Sequence, residues 1–307
     1  MSTLRTAMVD YLALRRSLGY KLERAGCLLA EFVTFAETRG ADHVTVELAL
    51  SWAISTSNPH SNWRAQRLGV VRGFARYLQA HNPNTEVPPR ALIPRGPGRP
   101  TPFLYSPADI TALMAAAGER YSPLRAATLE TLIGLLAVTG LRVAEGIRLD
   151  RGDVNVASGL LTVRTSKFGK SRLVPLHPST VIALKDYARL RNRLYPRPHT
   201  SAFFISTTGT RLRANNLRAV FAELRGHADV GPRAGRRPRL GDLRHSMAMT
   251  TLLRWYAAGE NVQALLPLLS TYLGHVNPRS TYWYLSAAPE LLAAAADRVE
   301  TAQGEPA

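Results

Sequence analysis

Seven prolines fall between Asn82 and Pro102: Pro83, Pro88, Pro89, Pro94, Pro97, Pro100 and Pro102. Proline locks φ and removes a backbone donor, so neither a helix nor a central strand can run through such a stretch. Few of the intervening residues could build a core. The 307-residue chain is therefore expected to fold in two pieces, a domain over 1–81 and a larger one over 105–307. A semi-extended linker over 82–104 would join them.

The first piece reads as four short helices. Ser2 is placed to cap a helix with Leu4, Met8, Tyr11 and Leu18 on one side, closed by Gly19. Leu28, Leu29, Phe32 and Phe35 recur at helical spacing in a second helix that stops at Gly40. Cys27 is expected inside it as a small buried residue. A third helix carries Leu48, Trp52 and Ile54. In the fourth, Trp63, Leu68, Val71, Phe74 and Leu78 point inward and leave Arg64, Arg67, Arg72 and Arg76 as an arginine-rich face.

In the second piece, Ser106-Pro107 has the form of a capping serine followed by a proline in the first helical turn. Thr128 to Thr139 is a nearly all-apolar helix ended by Gly140. Leu160–Arg164 and Arg172–Leu176 are β-type segments on either side of a basic tip, Thr165 to Ser171. Helices are expected near Thr180–Leu194, Arg213–Leu224, Leu243–Ala258, Ala264–Leu273 and Pro289–Thr301. The fold class is mainly α, with a small antiparallel β hairpin or sheet.

Charge narrows the function. The net charge is +17, and 39 Lys and Arg outweigh 22 Asp and Glu in every third of the chain. A globular protein that is basic along its whole length is built to meet a polyanion, and double-stranded DNA is the leading partner. Arg95 and Arg99 make the linker basic enough to follow a phosphate backbone, and Arg211 and Arg213 open an arginine-rich run from Thr207 to Arg244. One cysteine excludes a disulfide framework or a cysteine-rich zinc site. The N-terminus lacks a secretion signal, and the longest apolar run, Leu132 to Val138, is too short to span a bilayer. A cytoplasmic protein without a membrane partner is expected.

Several short segments carry chemistry. Thr139-Gly140-Leu141-Arg142-Val143-Ala144-Glu145 sets an arginine at a tight turn after a buried helix, where it either pairs with Glu145 or meets an anion. Lys167 and Lys170 are half of the four lysines in the chain, and an ammonium can release a proton where a guanidinium cannot. Leu243-Arg244-His245 opens a helix whose unpaired N–H groups suit a phosphate. Leu273-Gly274-His275 is followed by Tyr282, Trp283 and Tyr284, of which the first two read as core.

In this order and spacing, the segments resemble the tyrosine recombinases of the phage-integrase type, over about 105–300. The resemblance implies that Arg142 and Arg244 clamp the non-bridging oxygens of a scissile DNA phosphate. Tyr284 would be the nucleophile that forms a 3′-phosphotyrosine bond, and Lys167 the general acid for the leaving 5′ oxygen, with Lys170 in reserve. His275 would hydrogen-bond the phosphate and support the tyrosine, and Glu145 would buttress Arg142. It implies no metal and no other cofactor. It also implies a clamp of two domains around DNA and a homotetramer on synapsed sites, with a related recombinase as a further possible partner. The apolar side of the last helix, Leu291 to Val299, would dock either on a neighbouring protomer or on its own domain. The setting the resemblance implies is a phage or mobile element.

One position departs from the family pattern. Gly241 stands where a histidine usually precedes the second arginine, and Asp242 is no substitute because a carboxylate repels phosphate. His245 reads as a packing residue or a structural hydrogen-bonding group. Two other readings share these residues: a DNA-binding accessory protein that has lost catalysis, and a type IB topoisomerase that relaxes DNA without pairing sites.

Overall fold

A computed structural model describes residues 3–284 except 59, 95, 97–100, 165–170, 234, 276, 278, 279 and 283. The chain divides into two compact units, Met1–Pro100 and Thr101–Ala307. The division falls within the proline-rich stretch.

The first unit holds α1 (Thr3–Ser17), α2 (Glu23–Glu37), α3 (Val46–Ile54) and α4 (Ser61–Gln79). Leu4, Met8 and Leu12 of α1 pack with Leu29, Phe32, Trp52, Val71 and Phe74. Leu18 does not join them. It lies beyond the end of α1 and is 63% exposed, and Leu12, one turn after Met8, takes its place. Cys27 is exposed rather than buried, because Leu28 and Leu29 already occupy the inward positions of that turn. Ile54, at the last position of α3, also faces outward. The Ser2 cap and the expected helix over 289–301 lie outside the described residues.

Two of the expected surface arginines of α4 are structural. Position 67 is one turn before Val71, on the inward stripe. Arg67 is accordingly buried, donates to the Trp52 carbonyl at 2.8 Å and lies over the Trp52 ring. Arg72 donates to the carbonyls of Pro88 and Pro89 at 2.7 and 2.6 Å. Proline carbonyls keep their lone pairs while the segment forms no ladder, and Arg72 satisfies them. The stretch after α4 is thus not free spacer: Val87 and Ile93 pack on the first core. Arg76 is exposed and Arg64 half-buried, whereas Arg95 and Arg99 lie outside the described residues.

In the second unit, α5 (Pro107–Arg120) begins with a full capping box from Ser106 and Asp109, and α6 (Pro123–Thr139) runs through the centre. Leu132, Ile133, Leu135 and Leu136 of α6 are buried on different sides of the helix. That is why its sequence lacks a polar stripe. Then come α7 (Val143–Arg148), β1 (Val154–Asn155), β2 (Leu160–Val163), β3 (Arg172–Pro175), α8 (Pro178–Leu194), α9 (Ala214–His227), α10 (Leu243–Ala257) and α11 (Val262–Leu273). The strands form one antiparallel sheet in the order β1-β2-β3, with Leu161 opposite Val174. Arg213 precedes α9 and is exposed. Arg211 is not an outward contact. It donates to the Ile147 carbonyl at 3.0 Å and to Asp150 at 2.6 Å, tying the loop before α9 to the end of α7. Among the described residues, no helix is long and apolar enough to cross a membrane.

Candidate active site

Two helices that end in glycine build the floor of the site. α6 closes at Gly140, φ 61°, and α11 closes at Gly274, φ 68°. Left-handed backbone favours glycine, and space demands it too. A Cβ at Gly140 would stand 2.9 Å from the Leu273 side chain, and one at Gly274 would stand 2.8 Å from the Arg172 guanidinium. A helix end leaves carbonyls unpaired and negatively polarised. Here guanidinium groups take them.

Arg244, in the first turn of α10, donates to the Gly140 and Leu273 carbonyls, each at 2.7 Å. Arg142 donates to the Gly274 carbonyl at 3.2 Å. The two arginines, 102 positions apart by number, are thus anchored on adjacent carbonyls of one turn. Arg244 is buried, and among the described residues no carboxylate lies within ion-pair distance of it. Burial, followed by the charge of Arg142, depresses its pKa to about 10. It remains a cation at neutral pH, desolvated and short of negative charge.

Glu145 organises the other arginine. Its buried carboxylate accepts from the Arg142 backbone N–H at 3.0 Å and the Arg142 side chain at 2.7 Å. It also accepts from Arg172 of β3 at 2.8 Å. Arg172 in turn donates to the Tyr272 carbonyl at 2.9 Å, so one residue joins sheet, α7 and α11. Burial pushes the Glu145 pKa up, but the hydrogen bonds from Arg172 and Arg142 outweigh it and hold the value at about 2. Arg172 lies in the Arg172-Leu173-Val174-Pro175-Leu176 run, and only its place in that run pointed to it.

Replacing Glu145 with Gln should cost about 3 kcal/mol of folding stability at neutral pH, because two arginines lose a buried partner. Since the folded pKa lies below the ordinary 4.5, this contribution is complete above that ordinary value. It fades as pH falls from there through about 2. Urea unfolding at pH 7 and pH 3 should show the difference between wild type and Glu145→Gln shrinking in acid.

Tyr284 is 1% exposed, with its ring among Met249, Leu252, Leu266 and Leu273. Its hydroxyl lies 2.9 Å from Nδ1 of His245, and its charge state acts on Arg244. His275 stacks on the Tyr284 ring at 6.3 Å between centroids and bonds the Thr281 hydroxyl through Nδ1 at 2.7 Å. His245 is therefore a partner of the tyrosine hydroxyl, where the sequence left it as a packing residue or a structural hydrogen-bonding group. Only the fold brings positions 245 and 284 together; no spacing signals it. Tyr282 is half-exposed rather than core, and Trp283 lies outside the described residues, as do Lys167 and Lys170. Gly241 sits in a 3₁₀ turn with nothing within 4 Å of the position a Cβ would take. Asp242 is buried and bonded to Arg239, away from any role as a substitute. Among the described residues, no three His, Cys, Asp or Glu side chains form a group that could hold a metal ion.

The fold thus brings together two cations on one turn and a tyrosine bonded to the neighbour of one of them. The model of the phage integrase family matches residues 105–290. The chain belongs to that family. As a phage-integrase member it is a tyrosine recombinase, an enzyme that breaks and rejoins DNA. It is 43% identical, over 98% of both chains, to y4rB of Sinorhizobium fredii, a protein provisionally named an integrase/recombinase. It is 33% identical to the tyrosine recombinase XerC of Pelotomaculum thermopropionicum, over 74% of this chain and 71% of that one. Among solved structures, the Tn1549 transposon integrase in complex with transposon right end DNA matches with a TM-score of 0.68 at 15% identity, covering 98% of this chain and 99% of that one. The XerH site-specific recombinase in its post-cleavage complex matches at 0.65 and 19%, over 90% and 78%.

Proposed function

We propose that this integrase-family chain performs site-specific recombination for a mobile element or phage, with Tyr284 as nucleophile and Arg142 and Arg244 as the phosphate clamp. The observation that supports this most is the buried Arg244, a cation held by two carbonyls and, among the described residues, without a carboxylate within ion-pair distance. Such a group is preorganised for an anion, and the phosphate's non-bridging oxygens gain charge in the transition state. The Tyr284 oxygen bonds to phosphorus while the bond from phosphorus to the 5′ oxygen breaks. That oxygen leaves with a proton, which we assign to Lys167. The phosphotyrosine keeps the phosphodiester's energy, so a second 5′ hydroxyl reverses the step without ATP. Arg64, Arg76 and Arg213 supply backbone contacts, and four copies act on paired sites.

A nicked duplex carrying inverted repeats identified by sequencing the flanks of the gene tests this, because loss of the short fragment past the nick traps the covalent complex. The expected result is a protein–DNA adduct, with strand exchange between two labelled sites on intact DNA. Tight binding without adduct would make the chain an accessory protein. Relaxation of supercoils without exchange would make it a topoisomerase.

A further inference from the structure

We infer that His245 takes the proton of Tyr284 as the tyrosine attacks. The inference rests on the recombinase reading and adds a catalytic residue to it.

A phenol with an ordinary pKa near 10 is almost wholly protonated at neutral pH, so attack on phosphorus needs an acceptor for its proton. The Tyr284 hydroxyl belongs to a side chain 1% exposed, which keeps bulk water from serving. An acceptor must therefore lie within hydrogen-bond reach. Nδ1 of His245 does, at 2.9 Å, with its ring tilted 57° to the tyrosine ring.

Among the described residues, the other candidates have partners elsewhere. His275 presents its ring face to Tyr284 and directs Nδ1 to Thr281. Glu145 is held by Arg142 and Arg172, and Asp242 by Arg239. Position 241 has no side chain to offer.

Neighbouring residues on a helix point about 100° apart. The first turn of α10 uses this. Arg244 faces the carbonyls at the ends of α6 and α11, while His245 faces the tyrosine. One turn thereby carries both the phosphate clamp and the acceptor.

The proton balance closes. A neutral imidazole with its hydrogen on Nε2 accepts at Nδ1 the proton that Tyr284 gives up as its oxygen bonds to phosphorus. On religation the imidazolium returns that proton to the tyrosine oxygen as the 5′ hydroxyl displaces it. Among the described residues, His275 after α11 stacks on the tyrosine and Arg244 precedes His245 on the same helix, while Arg142 and Glu145 from the α7 segment and Arg172 from β3 act electrostatically on Arg244. The cations among them oppose the imidazolium, and the charge gained by the phosphate offsets them.

His245→Asn tests the assignment. Its amide sits near the place of Nδ1 and can bond the tyrosine, but it takes no proton near neutral pH. The readout is single-turnover adduct formation on the nicked duplex, at saturating protein, from pH 5 to 9. Wild type should lose rate toward acid, in the range where imidazoles titrate. The variant should bind DNA equally, react about 10²-fold more slowly at pH 7 and lose the inflection of the acid limb in the imidazole range, its rate climbing steadily with hydroxide across pH 5 to 9 instead. A variant with the wild-type rate and acid limb would overturn the proposal. So would a wild type without an acid limb, which decides the matter should the Asn variant and a parallel His245→Gln variant both fail to fold. A wild type that binds DNA and forms no adduct at any pH would instead remove the recombinase reading beneath it.

Discussion

Tyr284→Phe should bind DNA as tightly as the wild type and form no covalent adduct. The substitution removes one atom. The ring keeps its packing against Met249, Leu252 and Leu273, so the small core at the end of the chain persists. What goes is the hydrogen bond to His245, about 1 kcal/mol of stability for a pair of this kind. Chemically the loss is total, because no other oxygen occupies that place. Removing a nucleophile that works as part of a unit costs on the order of 10⁶-fold, which puts the variant at the limit of detection. Tyr282→Phe is the control. That side chain is 49% exposed, on the same short segment, and its substitution should leave adduct formation unchanged. Trapping on the nicked duplex reads both. An active Tyr284→Phe with an inactive Tyr282→Phe would place the nucleophile two residues earlier.

The sequence reveals chain punctuation better than it reveals side-chain destinations. Gly140 and Gly274 end helices because a left-handed residue is needed there, and a glycine after an apolar periodic run is visible without a fold. Ser106-Pro107 starts a helix for an equally local reason. The arginines behave differently. Arg67, Arg72 and Arg211 look like outward positive charge, yet each folds back on a carbonyl brought to it by tertiary structure. A guanidinium on a long stem can serve either end, and helical periodicity places only its Cα. For the same reason the site was legible as a set of residue types and illegible as a network. That Glu145 holds two arginines, Arg142 and Arg172, depends on the fold bringing the start of β3 to α7. That His245 meets Tyr284 depends on the return of the chain after α11.

Arg244→Ala should lower the rate of adduct formation by about 10³-fold or more, while the protein stays folded. Two effects of opposite sign act on stability. The Gly140 and Leu273 carbonyls lose their donor, which costs about 1–3 kcal/mol for each buried acceptor left unpaired. Against this, a cation whose burial depresses its pKa to about 10 no longer has to be kept out of water. Catalysis has no such offset. Removing a single preorganised donor to a developing oxyanion typically costs 10²–10³-fold, and Arg244 brings a full charge in a desolvated setting as well. Arg244→Lys separates charge from geometry. An ammonium restores the positive charge but not the planar fork that reaches Gly140 and Leu273 through separate nitrogens, so it should recover only a small part of the rate. Binding to intact DNA adds an independent reading, since a lost phosphate contact should lower the slope of log K against log salt by about one. A variant that keeps the salt slope and the rate would mean that Arg244 only ties helix ends together, and that Arg142 alone meets the phosphate.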